Sequence, residues 1–188
     1  MTTDPLRDLL ERVARIFERT KIPFMIAGSF ASTAHGLPRS TQDLDIVIDP
    51  PDAAAIDALL RELPADAYYV DADAAHDAFT RRSLFNVIDM ASGWKIDLIV
   101  RKNRDFSRSE IARRVAMPIL GVPLFVASPE DTIVAKLEWS RDSGGSERQR
   151  GDVRGILAAV GKAVDREYLE TWVHALGLEA EWTLVLIS

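Results

Sequence analysis

The segment IAGSFASTAHGLPRSTQDLDIVI, residues Ile26 to Ile48, contains the pattern that decides the fold. A short apolar run, Phe24 to Ala27, leads into Gly28-Ser29, and Ser29 to Ala34 is predicted to form a short helix. Asp43 to Asp49 then alternates carboxylate and apolar side chains, which is typical of a strand with one buried face. We therefore predict strand, turn, helix, loop and strand in this order.

Two features of this segment predict chemistry. A Gly28-Ser29 turn before a helix directs free backbone N–H groups and the positive end of the helix dipole to one point, which favours phosphate binding. Asp43 and Asp45 alternate on the predicted strand, so their carboxylates project from one face, roughly 5–7 Å apart. At an effective dielectric constant of 20 they repel by about 2–4 kcal/mol, and Mg²⁺ is the cation that suits such oxygen ligands. The plainer alternatives are an ordinary helix start and a solvated strand face.

Asp97 is the candidate third carboxylate. It lies in the centre of WKIDLIV, Trp94 to Val100, which is predicted to be a core strand where an unpaired aspartate is costly. A carboxylate from a neighbouring strand would allow a site for two metal ions. The alternative is an ion pair of Asp97 with Lys95 or with an arginine.

The composition limits the classes of protein. The chain has 188 residues, of which 47% are hydrophobic, so we predict one main domain with one sizeable core. A net charge of −6 argues against general affinity for nucleic acid. The absence of cysteine excludes disulfides and cysteine-ligated zinc. The start is acidic and amphipathic, unlike a signal peptide, and no run of 18 apolar residues occurs, so a cytoplasmic protein without membrane contact is expected.

Periodicity and capping residues predict the remaining elements. We expect helices at Pro5 to Arg19, Asp52 to Leu63, Asp73 to Phe79, Ser128 to Trp139, Asp152 to Val160 and Arg166 to Leu176. Strands are expected at Tyr68 to Val70, Ser83 to Met90, Trp94 to Val100 and, broken at Gly121, Met117 to Val126. Arg101 to Arg114 is predicted to be a basic loop with a helical turn, and Arg141 to Arg150 a flexible connector.

A family resemblance combines these features. The run GSFASTAHGLPRSTQDLDIVID resembles the pattern of the polymerase-beta-like nucleotidyltransferase superfamily, in which Gly-Gly or Gly-Ser precedes an acidic-apolar-acidic strand and a third acidic strand residue follows. The chain is most similar to small prokaryotic members, including those of the AbiEii toxin type. PEDTIVAKLEW resembles a further pattern of that group, with Asp131 and Lys136 at matching positions. A final Lys-Asp-x-x-Asp pattern is half present in ERQRGDVRGIL, where Asp152 matches but Arg148 and Gln149 depart.

The resemblance implies an α/β (α+β) fold, with a mixed twisted sheet, helices packed on one side and the site in the open concavity. It implies a nucleotidyltransferase core at residues 1–127 and a C-terminal helical portion of the same domain at residues 128–188. Gly28 and Ser29 would hold the β- and γ-phosphates of a nucleoside triphosphate. Asp43 and Asp45 would ligate Mg²⁺, and Asp97 would complete a second metal site or accept the proton of the attacking hydroxyl.

Two cationic residues are further candidates for phosphate binding. Lys136 would reach the phosphates, and its alternative is a lysine on the polar face of a helix. Arg39 would touch phosphate from the loop before the acidic strand, and its alternative is a structural pair with Asp43. The segment Arg101 to Arg114 is either an RNA or acidic-acceptor contact or a solvated basic loop.

The implied activity is Mg²⁺-dependent transfer of a nucleoside monophosphate from a triphosphate to a hydroxyl acceptor. RNA such as a transfer-RNA end, a protein side chain and a small molecule stay open as acceptors, as does the preferred base, ATP included. The alternative is a non-catalytic nucleotide-binding or partner-binding module, for example half of a toxin–antitoxin pair. A homodimer and a toxin–antitoxin partner both stay open as assemblies.

Overall fold

The computed structural model describes residues 4–37 and 41–187. The helices in chain order are α1 Pro5–Thr20, α2 Gly28–His35, α3 Ala53–Arg61, α4 Ala72–Arg81, α5 Asp105–Ala112, α6 Pro129–Asp142, α7 Glu147–Val160, α8 Arg166–Ala175 and α9 Glu179–Leu186. The strands are β1 Phe24–Ile26, β2 Asp43–Ile48, β3 Tyr68–Val70, β4 Leu84–Asp89, β5 Lys95–Val100, β6 Val115–Ile119 and β7 Val122–Val126.

The strands form one mixed sheet in the order β3-β4-β5-β2-β1-β7-β6. β2 pairs with β5, and β1 with β7, in parallel, whereas the other neighbours are antiparallel. The central position of β2 explains its sequence, because a strand with neighbours on both sides and a covered face needs fully buried residues such as Leu44, Ile46 and Ile48. The predicted mixed α/β class is confirmed.

The first helix begins and ends where the sequence predicts. Asp4 caps it by accepting a 3.0 Å hydrogen bond from the Leu6 backbone N–H, and Pro5 occupies the first turn. Lys21 ends it in the left-handed conformation, with its N–H bonded to the carbonyl of Phe17. The face with Leu9, Leu10, Val13, Ile16 and Phe17 is buried.

The sheet has one face towards α1 and one face that carries the carboxylates. Asp89 of β4 accepts a 2.7 Å hydrogen bond from Arg12 of α1, which places α1 on the face of Asp89. Val87 lies two residues before Asp89 in β4 and therefore on the same face of the sheet. Val87 pairs with Ile96 of β5, and Ile96 pairs with Leu44 of β2. Leu44 therefore points to the α1 side, and its neighbours Asp43 and Asp45 point to the opposite face.

The C-terminal helices build a second hydrophobic cluster beside α2. This cluster contains Phe106 of α5 and buried residues of α6 to α9, among them Ile133, Leu137, Val153 and Trp182. α6 and α7 both pack on α2, the helix that begins at Gly28, and so help to hold it in place. The division at residues 127 and 128 stays a prediction.

Three predictions about the second half need correction. The basic segment is mostly the helix α5, and the flexible connector is only residues 143–146, because α6 continues to Asp142 and α7 begins at Glu147. The chain also continues beyond the last predicted helix, Arg166 to Leu176, into an additional helix, α9, in which Trp182 and Val185 are buried. Across residues 4–37 and 41–187, the helices are too short or too polar to cross a bilayer.

Candidate active site

Gly28 occupies the point where β1 turns into α2. Its φ of +56° is in the left-handed region, and a Cβ there would lie 2.6 Å from Cγ of Asp45. The backbone of Ala27 fixes this approach, because its N–H donates a 2.9 Å hydrogen bond to the carbonyl of Asp45. The start of α2 is therefore pressed against the second carboxylate of β2, and only glycine fits.

We predict that Gly28→Ala lowers the free energy of unfolding by about 2–4 kcal/mol, the sum of left-handed backbone strain and overpacking. Gly93→Ala is the matched control, because Gly93 also has a positive φ, +73°, but open space where a Cβ would stand. The control should lose only the strain contribution of about 1–2 kcal/mol. Urea unfolding measures both variants, and equal losses would contradict the close approach at Gly28.

The three predicted carboxylates lie on adjacent strands of the open face. Asp45 of β2 stands beside Asp97 of β5 in the parallel register, and Asp43 stands beside Lys95. Burial first and the charge of Asp97 next raise the pKa of Asp45 above its ordinary value. Lys136 and a backbone hydrogen bond from Ser29 act in the opposite direction. A carboxylate oxygen of Asp45 therefore already lies at the start of α2.

Asp97 is held from two sides. Asn86 of β4 donates its Nδ2–H to Oδ1, and Lys95 donates from Nζ to Oδ2 at 3.0 Å. The same ammonium lies 4.0 Å from Asp43, and its side chain is 43% exposed. The ion pair between Asp97 and Lys95 that the sequence left open is present, and it coexists with the carboxylate cluster because Lys95 lies at the exposed edge of that cluster.

Lys136 is buried, so its placement on the polar face of a helix is wrong. Its Nζ donates a 2.8 Å hydrogen bond to Oδ2 of Asp152, with the two side chains 7% and 11% exposed. Ser32 of α2 also donates to Asp152, at 3.4 Å. The pair therefore connects α6 and α7 to α2, and its ammonium acts on Asp45. Arg39, the other predicted cation, lies outside the described residues.

Asp131, which matches the family pattern, is away from the carboxylates in a structural role. Its carboxylate is fully buried and accepts hydrogen bonds from Ser128 at 2.7 Å and from Tyr168 at 2.6 Å. These contacts cap α6 and attach it to α8. Gln149, at the position where the pattern departs, has a buried Oε1 that accepts no hydrogen bond within the described part of the chain.

Glu110 of α5 lies beside this cap. Burial first and the charge of Asp131 next raise the pKa of Glu110 to about 7. The folded state prefers the protonated form of Glu110. The contribution of Glu110 to stability is therefore fully present at pH below the pKa that it has in the unfolded chain, and it is lost as the pH rises through about 7.

Glu110→Gln should therefore be more stable than the wild type at pH 8, by on the order of 2 kcal/mol, and about equal to it at pH 4.5. Urea unfolding across this range measures the difference. A difference that does not change with pH would contradict the raised pKa of Glu110.

The basic segment is bound to acidic residues rather than free. Arg104 forms a bidentate ion pair with Glu138, in which Nη2 donates to Oε2 at 2.7 Å. The Nη2 atom of Arg113 lies 3.2 Å from Oε2 of Glu130. Arg101 pairs with Asp49 at 2.8 Å. These pairs attach the segment to the end of β2 and to α6, so the three arginines stabilise the fold and do not form a solvated loop. The contact with RNA or an acidic acceptor stays a prediction.

The donor set suits a hard divalent cation such as Mg²⁺, because carboxylate oxygens are its preferred protein ligands. Asp43, Asp45 and Asp97 are carboxylates on neighbouring strands, and burial first and the charge of Asp97 next raise the pKa of Asp45. Within residues 4–37 and 41–187, no three acidic, histidine or cysteine side chains are already arranged as a metal cage. Lys95 takes up part of the carboxylate charge instead.

Asn86 is a site residue that the sequence reasoning missed. It alternates with Leu84 and Ile88 in β4, and the register of the hairpin places it beside Asp97. A three-residue turn at residues 91–93 would place Asn86 beside Leu98, so the sequence misses the observed pairing by one residue of register. Its amide orients the carboxylate from the side opposite Asp45.

The sheet order, the carboxylates on its open face and the Gly-Ser helix start together define a nucleotidyltransferase fold. A comparison with protein-family models and with curated protein sequences gives no match. Among solved structures, the antibiotic-resistance factor ANT(2'')-Ia in solution is 13% identical, with 97% of this chain and 96% of that chain covered and a TM-score of 0.61.

Two further structures agree with this fold. The crystal structure of ANT(2'')-Ia in complex with adenylyl-2''-tobramycin is 15% identical, covers 95% of this chain and 99% of that chain, and has a TM-score of 0.60. An antigenic nucleotidyltransferase-like protein from Paracoccidioides brasiliensis is 18% identical, covers 99% and 94%, and has a TM-score of 0.57. At these identities the similarity establishes the fold.

Proposed function

We propose that this protein is a metal-dependent nucleotidyltransferase that moves a nucleoside monophosphate from a triphosphate to a hydroxyl acceptor. The observation that carries the proposal is the contact of Asp45 with the start of α2, beside Asp97 on the same open face. A phosphate site and an acidic cluster then adjoin each other. The structural neighbour ANT(2'')-Ia forms a complex with adenylyl-2''-tobramycin, which supports the proposal.

The start of α2 is the proposed site for the triphosphate. The backbone of Ser29 already hydrogen-bonds a carboxylate oxygen of Asp45, so this helix end accepts an anion. Asp43, Asp45 and Asp97 would hold Mg²⁺, which when bound offsets the charge of the triphosphate. The ammonium of Lys136 contributes positive charge near Asp45, although it donates its hydrogen bond to Asp152.

Asp97 is the proposed proton acceptor. The acceptor hydroxyl gives its proton to Asp97 and its oxygen bonds to the α-phosphorus, while the bond to the bridging oxygen breaks and pyrophosphate leaves with the electron pair. Asn86 and Lys95 hydrogen-bond the carboxylate and so hold it in one orientation. The rate gain comes mainly from positioning and charge stabilisation.

The acceptor would approach over β3 and β4, beside Asp97. On this face Tyr69, Leu84 and Ile88 are 65%, 51% and 40% exposed. Together with the ammonium of Lys95, this surface favours a neutral or anionic acceptor with an apolar part over a polycation. Within the enzyme class, the resemblance at Asp131 and Lys136 supports a toxin-type transferase. We propose that such a transferase has a partner protein and acts in the cytoplasm.

Label transfer tests the function directly. The protein is incubated with each α-labelled nucleoside triphosphate, Mg²⁺ and a cell extract, and the labelled fraction is separated into RNA, protein and small molecules. Label should appear in one fraction and disappear with EDTA. No transfer with any nucleotide, or equal transfer by Asp45→Asn, would favour the non-catalytic binding module.

A further inference from the structure

A separate cleft with charged walls lies on the face of the sheet that α1 covers. Its volume is about 390 Å³, and residues of α1, of the end of α3 and of the start of β3 line it. Because Arg12 in its wall contacts Asp89 on the α1 side, the cleft lies on the opposite face from Asp45. Four arginines contribute to it, which are Arg12, Arg15, Arg19 and Arg61, and we call it the arginine cleft.

The positive charge of the arginine cleft is only partly balanced. Arg12 pairs with Asp89 at 2.7 Å and Arg19 with Glu62 at 3.0 Å. Within residues 4–37 and 41–187, the side chains of Arg15 and Arg61 form no ion pair or hydrogen bond with another residue. The chain as a whole carries a net charge of −6, so two spare guanidinium groups in one cleft are a local exception.

The spacing of the arginines suits phosphate. Arg12, Arg15 and Arg19 are three and four residues apart in α1, so they share one helix face over about 10 Å. Guanidinium groups bind phosphate oxygens through paired, charge-assisted hydrogen bonds. The ion pairs of Arg12 and Arg19 leave them fixed in place, while Arg15 and Arg61 stay available.

Besides the arginines and Glu62, which is paired with Arg19, the lining is mostly apolar. Ile16, Pro64 and the buried ring of Tyr68 line the cleft between the arginines. The volume lies in the lower part of the range of small-molecule sites, which is about 300–1,000 Å³. We propose that the arginine cleft binds a small ligand that carries a diphosphate, independently of the nucleotidyl-transfer site.

Calorimetry in the presence of EDTA tests this assignment, since chelation keeps divalent metal from the carboxylates. The probes are inorganic pyrophosphate and ADP. The wild type should bind with saturation at millimolar or lower concentration, and Arg15→Ala/Arg61→Ala should weaken binding at least about 10-fold. Tighter binding of ADP indicates an organic part on the apolar lining, and equal binding indicates the diphosphate alone.

Two variants serve as controls for this experiment. Arg81→Ala removes an exposed arginine from α4 outside the cleft, and Asp45→Asn alters the opposite face, so both should bind like the wild type. Arg15 and Arg61 are exposed, so the double variant should keep the melting temperature of the wild type. No saturable binding of either probe, or unchanged binding by the double variant, would overturn the proposal.

Discussion

Lys136→Met is expected to lower the free energy of unfolding by about 3–5 kcal/mol, which is the usual result when one partner of a buried ion pair is removed. Asp152 is only 11% exposed, so Lys136→Met removes the ammonium from a largely buried ion pair in the contact between α6 and α7. The hydrogen bond from Ser32 to the same carboxylate is long, at 3.4 Å. Urea unfolding at pH 7 measures the loss.

The double variant Lys136→Met/Asp152→Leu should recover most of this stability, because it removes the buried charge together with its partner. Lys95→Met is the matched control, because Lys95 forms its ion pair with Asp97 in a more exposed place. This substitution should lower the free energy of unfolding by less than about 1 kcal/mol. If Lys136→Met and Lys95→Met lost equal stability, the buried pair would not connect α6, α7 and α2 as described.

Asp45→Asn should reduce nucleotidyl transfer at least about 100-fold, because it removes a charge at the centre of the site where charge develops in the reaction. It should also stabilise the ligand-free protein by about 0.2–1 kcal/mol, the range for like charges on adjacent strands. Loss of activity with a gain in stability is the result expected of a functional carboxylate cluster.

The pH dependence of that gain follows from the raised pKa of Asp45. An acid whose pKa is raised on folding supports the fold at pH below its unfolded pKa and loses that contribution as the pH rises through its folded pKa. Asparagine imitates the protonated form, so the gain should be present at pH 7 and vanish in acid. Asp57→Asn, an exposed change on α3, should alter neither quantity. A destabilised Asp45→Asn at pH 7 would contradict the account.

Local patterns predicted the parts of the site that are close in sequence. Alternation at Asp43 to Asp49 gave the strand and the common face of Asp43 and Asp45, and the caps Asp4 and Ser128 gave two helix starts. These features depend on neighbours within a few residues, so one sequence contains the necessary information.

Contacts between distant elements were beyond such patterns. Asp131 and Lys136 belong to the same sequence motif. Because α6 packs against α7 and α8, Asp131 contacts Tyr168 of α8, whereas Lys136 contacts Asp152 of α7. Asn86 meets Asp97 only through the hairpin register. Helical periodicity shows which face of a helix is buried but not the residue that each charged side chain meets across the interface.

We propose that the start of α2 and the carboxylates form one metal-dependent triphosphate site. Calorimetric titration with a non-hydrolysable nucleoside triphosphate, with and without Mg²⁺, tests this proposal. We expect saturable binding that requires Mg²⁺, is abolished by Asp45→Asn, and is retained by Arg15→Ala/Arg61→Ala. Binding that is independent of Mg²⁺ and unchanged in Asp45→Asn would contradict it.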